Sequence, residues 1–126
     1  MKLFTVSEAN ELLPIVRPML ETIKALYEKM SLYRESAKAA AIAANEFGGG
    51  GMEGGTHYVQ SLYEIGKLTT ELNELGIQLK DYTRGLIDFP SKREDRIVLL
   101  CWQLGEENEI EWWHEIEAGF AGRQRL

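Results

Sequence analysis

Apolar residues return at alternating steps of three and four early in the chain: Leu13, Val16, Leu20, Ile23, Tyr27 and Met30. That spacing puts them on one face of a helix, as a seam against which a second helix packs. Thr5 with Glu8 has capping-box spacing and Phe4 stands at the staple position before it, so the pattern predicts a helix beginning near Val6. Pro14 and Pro18 fall inside it. Each removes a backbone donor and pushes its predecessor away from helical geometry, which predicts a bend or restart near Leu13. Residues 37–44 keep high helix propensity but lose large apolar side chains, and the six glycines between residues 47 and 55 end the helix. A second seam, Tyr58, Leu62, Ile65, Leu68, Leu72 and Leu75, closes at Gly76, a favourable C-cap residue. Together they predict an antiparallel helical hairpin over residues 1–75 with a glycine-rich tip at 48–55. The tip is not a phosphate-cradling loop, because no Lys-Ser or Lys-Thr pair follows its last glycine and no strand precedes it.

The period then changes. Residues 77–80 alternate, residues 85–90 are a short run bounded by Gly85 and Pro90, and residues 96–104 form a continuous β-branched and aromatic run of strand length. Residues 91–95 and 105–108 are polar turns. Residues 109–117 have two readings. As a strand they place Ile110, Trp112, His114 and Ile116 on one face; as a helix they form a stripe of Trp112, Trp113, Ile116 and Phe120, with Glu111 and His114 opposite. Aromatic and β-branched enrichment after a four-residue turn favours the strand. The predicted fold class is α+β: a long antiparallel helical hairpin followed by a small antiparallel β-sheet with a C-terminal tail over residues 76–126, all in one domain of residues 1–126.

Four segments, FTVSEANELLP at residues 4–14, KDYTRGLIDFP at 80–90, LLCWQLGE at 99–106 and WWHEIEAGFAGRQRL at 112–126, resemble the prokaryotic family carrying domain of unknown function number 2203. The resemblance implies a small bacterial cytosolic protein. It brings no activity, cofactor or site residue with it.

Composition narrows the classes. A chain of 126 residues is the size of one domain, and 44% hydrophobic with 27% charged residues is too apolar for a disordered one. Fourteen Lys and Arg against twenty Asp and Glu leave a net charge of -6, a poor match to phosphate, so nucleic acid is not the expected partner. No apolar run approaches the length of a membrane span, and the acid-bearing N-terminus is not a signal peptide. The single cysteine, Cys101, cannot form an internal disulfide, and its apolar neighbours predict a buried, reduced thiol in the cytoplasm.

If the strands form a meander, side-chain parity places Asp88, Ile97, Leu99, Cys101, Gln103, Ile110, Trp112 and His114 on one sheet face. Asp88 and His114 are then candidates for a divalent metal or for proton transfer. The competing reading makes them a structural pair under the helices. In the helical reading, Glu111 and His114 would form the i, i+3 pair of dimetal bundles, although that architecture needs the pair twice. One Cys and two His on separated segments make no recognisable zinc motif, and Cys101 inside an apolar strand lacks the electropositive setting of a nucleophile. Arg123 and Arg125 are candidates for binding an anionic ligand or for pairing with the acidic stretch at 106–117. The function expected is a non-enzymatic interaction or assembly module acting as a homodimer, since the first helix outruns the second and would leave the seam from Leu20 to Met30 uncovered. The alternative is a small metal-binding protein or metal-dependent enzyme using Asp88 and His114.

Overall fold

The computed structural model describes residues 1–47 and 55–126, with side chains described outside 42–56. The expected glycine tip therefore lies outside the described residues, save Gly55, which opens the second helix. Two helices, α1 (Val6–Phe47) and α2 (Gly55–Glu74), precede an antiparallel sheet of five strands in the order β1 (Gln78–Asp81), β2 (Leu86–Arg93), β3 (Arg96–Gln103), β4 (Trp112–His114) and β5 (Gln124–Arg125). The α+β architecture is the one the periodicities predict.

The start of α1 follows from its first residues. The Thr5 backbone N–H donates to Glu8 Oε1 at 2.9 Å, and the Glu8 N–H donates to Thr5 Oγ1 at 3.1 Å, a reciprocal capping box. Phe4 and Ala9 are both buried, completing the staple, and the Phe4 ring meets Phe89 edge-on at 5.3 Å. Of the bend or restart predicted near Leu13, the restart does not occur: α1 runs unbroken through Pro14 and Pro18. Both prolines are exposed, four residues apart on the outer side, so water can satisfy the carbonyls they leave unbonded. The opposite face, Ala9, Leu13, Val16, Leu20 and Ile23, is fully buried and holds the helix together.

Leu20, Ile23 and Met30 are buried within the one chain. The seam expected to be left over for a partner is therefore covered, and the homodimer argument loses that support. On α2 the buried stripe is Ser61, Ile65 and Leu72, while Leu62, expected in the seam, is 52% exposed. At its C-terminus Gly76 takes φ 90°, its N–H donates to Asn73, and the Ile77 N–H donates to Leu72 at 3.0 Å. Those bonds and the buried pair of Leu72 and Ile77 are a Schellman cap, which turns the chain into β1.

In the sheet, Ile87, Phe89, Val98, Leu100, Trp102 and Trp113 alternate onto the face that packs on α1. The stretch at 91–95 is a turn only at its end: β2 continues to Arg93, which pairs with Arg96, leaving Glu94, at φ 56°, and Asp95 to reverse the chain. Pro90 is tolerated in β2 because β1 pairs only as far as Asp88. Beyond it the N-terminal segment takes over, with the Phe4 N–H donating to the Pro90 carbonyl at 2.7 Å and Ser91 Oγ donating to the Phe4 carbonyl.

Candidate metal centre

The second sheet face carries Asp88, Leu99, Cys101, Gln103, Trp112 and His114, as register dictates: Asp88 stands opposite Cys101, Cys101 opposite Trp112, and Leu99 opposite His114. Two of the predicted members behave differently. Ile97 keeps its parity but lies near the hairpin end, 38% exposed. Ile110 precedes β4, donates its N–H to Asn10 Oδ1 and joins the helix-side core, so parity counted back from Trp112 does not reach it. The strand expected over 109–117 shortens to Trp112–His114, and a fifth strand, Gln124–Arg125, forms from what looked like a tail.

This face is not under the helices, where a structural Asp88–His114 pair was expected. Residues following β4 cover it: Arg123 lies over the Trp112 ring and contacts the Phe120 ring, which Arg84 stacks on from β2's side of the sheet. On the same face Asp88, Cys101 and His114 are buried to 2%, 1% and 2% exposure. One donor atom from each lies within 4.8 Å of the other two. His114 Nε2 is 3.1 Å from Asp88 Oδ1, and its Nδ1 is 2.7 Å from the Glu115 carbonyl.

These partners fix the protonation pattern by inference. A carbonyl only accepts, so Nδ1 carries a hydrogen and donates to Glu115. Nε2 and a carboxylate oxygen cannot face one another at 3.1 Å as two bare lone pairs. A single proton, or another cation, must lie between them. The Cys101 thiol is pushed up to about 12, first by burial and next by the negative charge of Asp88, with the Arg123 charge acting the other way. It is therefore a thiol at neutral pH, and neither ring nitrogen of His114 is free to serve as its base. Nucleophilic Cys-His chemistry does not fit this geometry.

The remaining candidates lie outside the cluster. Glu111, which precedes β4, accepts from Arg125 Nη2 at 2.9 Å. Arg123 Nη2 donates to Glu106 Oε2 at 2.7 Å. Both arginines thus pair with glutamates of the acidic stretch. Cys101 is the residue that sequence reasoning set aside, having weighed it as a nucleophile; the parity that placed it beside Asp88 and His114 was the signal for a ligand.

The family described as Uncharacterized conserved protein (DUF2203) matches residues 2–126. The chain belongs to that family. Asp88, Cys101 and His114 all fall inside the stretch matched to DUF2203. No curated protein and no solved structure matches the chain.

Proposed function

We propose that this DUF2203 protein binds a divalent transition-metal ion through Asp88 Oδ1, Cys101 Sγ and His114 Nε2, with Zn²⁺ the best match to a mixed oxygen, sulfur and nitrogen set. The observation that carries the reading is the convergence of three different donor types, all buried, within 4.8 Å of one another. Donor atoms of a tetrahedral zinc site lie about 3.3–3.6 Å apart; Nε2 and Oδ1, at 3.1 Å, are within a few tenths of that, and a set that lies within 4.8 Å overall closes by about 1.5 Å at most. The His114 Nδ1–Glu115 contact supports it further, since ligating histidines donate their second N–H to a carbonyl or carboxylate that fixes the tautomer.

The ion would take the place of the proton held between Asp88 and His114. Three protein donors leave a tetrahedral ion one open position, the arrangement that lets zinc polarise water or a carbonyl group. The cation would also stabilise the Cys101 thiolate, offsetting what burial and Asp88 do to the free thiol. Calorimetric titration of Zn²⁺ in buffers of differing ionisation enthalpy tests this, with the expected result one ion per chain and about two protons released, one from the pair and one from the thiol. Binding without proton release, or equal binding after Cys101→Ser and His114→Ala, defeats it. A free buried thiol fits a reducing compartment such as the cytoplasm.

A second reading, an assembly module acting as a homodimer, now rests on α2. Val59, Leu62 and Tyr63 are 63%, 52% and 74% exposed and, with Gly66, follow the i, i+3, i+4, i+7 spacing of one helix face. Light scattering of the wild type and Leu62→Glu tests it: a dimer mass reduced to monomer supports the module, and a monomeric wild type removes it.

A further inference from the structure

A buried donor without an acceptor is rare in folded proteins and calls for a partner, an ordered water or a ligand. Among the described residues, Arg123 Nε is the buried side-chain atom with no partner. The side chain is 8% exposed, and its guanidinium lies 4.7 Å from the centroids of both Trp112 and Phe120. Arg84 sits 4.0 Å from the Phe120 centroid, its own Nε donating to the neutral amide of Gln103 at 3.2 Å. Trp112 is the cross-strand neighbour of Cys101, and Gln103 stands two residues past it on the same face. The guanidinium and aromatic layer therefore overlies the sheet face that presents Asp88, Cys101 and His114.

An anion bound there would meet positive charge on two sides, the metal ion and the Arg123 guanidinium. A guanidinium has only donors to offer, and Nε is the position that Glu106 leaves free.

We propose that Arg123 donates through Nε to a small carboxylate-class monoanion, such as formate or bicarbonate, bound at the open position of the metal held by Asp88, Cys101 and His114. The inference rests on the metal reading above and adds a ligand class to that same site.

The test uses the full chain loaded with Co²⁺, whose visible absorption reports its coordination, titrated with sodium formate. Expected is a saturable spectral change in the wild type, weakened at least tenfold in apparent affinity by Arg123→Gln at unchanged cobalt stoichiometry. Glu106→Gln, which removes a competing negative charge, is expected to tighten formate binding, and it keeps the test decisive if Arg123→Gln fails to fold. A cobalt-loaded wild type that ignores formate overturns the proposal while leaving the metal reading intact. So does equal formate affinity in the folded variants. A wild type that takes up no cobalt overturns the metal reading and this proposal with it.

Discussion

Removing Asp88 by substitution with alanine leaves His114 Nε2 buried at 2% exposure with no partner of its own. Stranding one member of a buried hydrogen-bonded pair costs about 1–3 kcal/mol, rising to about 3–5 kcal/mol where the pair is ionic. His114→Ala strands Asp88 in the same way. The double variant strands neither, so its cost should fall short of the sum of the two single costs by about 0.5–3 kcal/mol. For a domain of this size about 2 kcal/mol lowers the melting temperature by roughly 6–12 °C, well within measurement. Urea unfolding monitored by tryptophan fluorescence, with chelator present, gives the four stabilities of the cycle. Adding Zn²⁺ at about a hundred times its dissociation constant should then stabilise the wild type by about 2.7 kcal/mol and each variant far less. Additive effects, agreeing within about 0.3–0.5 kcal/mol, would refute the reasoning, because residues that share a proton or a metal must couple.

Other expectations follow from neighbouring features. Gly76→Ala forces an L side chain to φ 90° with its Cβ 3.1 Å from Lys2 Cβ, and should cost about 1–2 kcal/mol in thermal unfolding; an unchanged melting temperature would contradict the cap. Glu8, Asp81 and Glu115 are each held below the usual carboxylate range, Glu8 by the Thr5 N–H and hydroxyl, Asp81 by the Arg84 N–H and Thr83 hydroxyl, Glu115 by the Arg96 guanidinium. Their contribution is present above the unfolded-state carboxylate range near pH 4 and is lost as pH falls through the lowered native values, so stability should decline on acidification below about pH 5, less steeply in a Glu8→Gln, Asp81→Asn, Glu115→Gln variant. With its thiol pushed up to about 12 and buried, Cys101 in the metal-free chain should react with a disulfide reagent at pH 8 only upon unfolding, and fast labelling of the native state would place it elsewhere.

The sequence spoke clearly wherever a local signal and the tertiary structure agreed. Thr5 and Glu8, the seam from Leu13 to Met30, Gly76 and the run 96–104 each carry a physical mechanism within a few residues. Parity brought Asp88, Cys101 and His114 together, because β2 and β3 join through a two-residue turn and β4 pairs with β3 in the register that sets Trp112 opposite Cys101 and His114 opposite Leu99. What stayed hidden depended on distant contacts. Pro14 and Pro18 look like helix breakers until the buried opposite face of α1 outweighs the bonds they lack. Leu62 fits the helical period, but the small Ser61 takes the inward place beside it. Ile110 leaves the expected face because Asn10, a hundred residues away in sequence, captures its N–H. Which face the helices cover was equally illegible: Asp88 and His114 lie on the other one, where Arg123 stacks over Trp112.

The central claim is that Asp88, Cys101 and His114 hold a metal ion. The most direct measurement is elemental analysis of protein purified without an affinity tag, alongside the triple variant Asp88→Ala, Cys101→Ser, His114→Ala, both checked for folding by circular dichroism. The account predicts about one equivalent of zinc or a neighbouring transition metal in the wild type, restored by zinc after chelation, and none in the folded variant. A wild type that neither retains nor regains a metal, or a folded variant that binds as much, would contradict it.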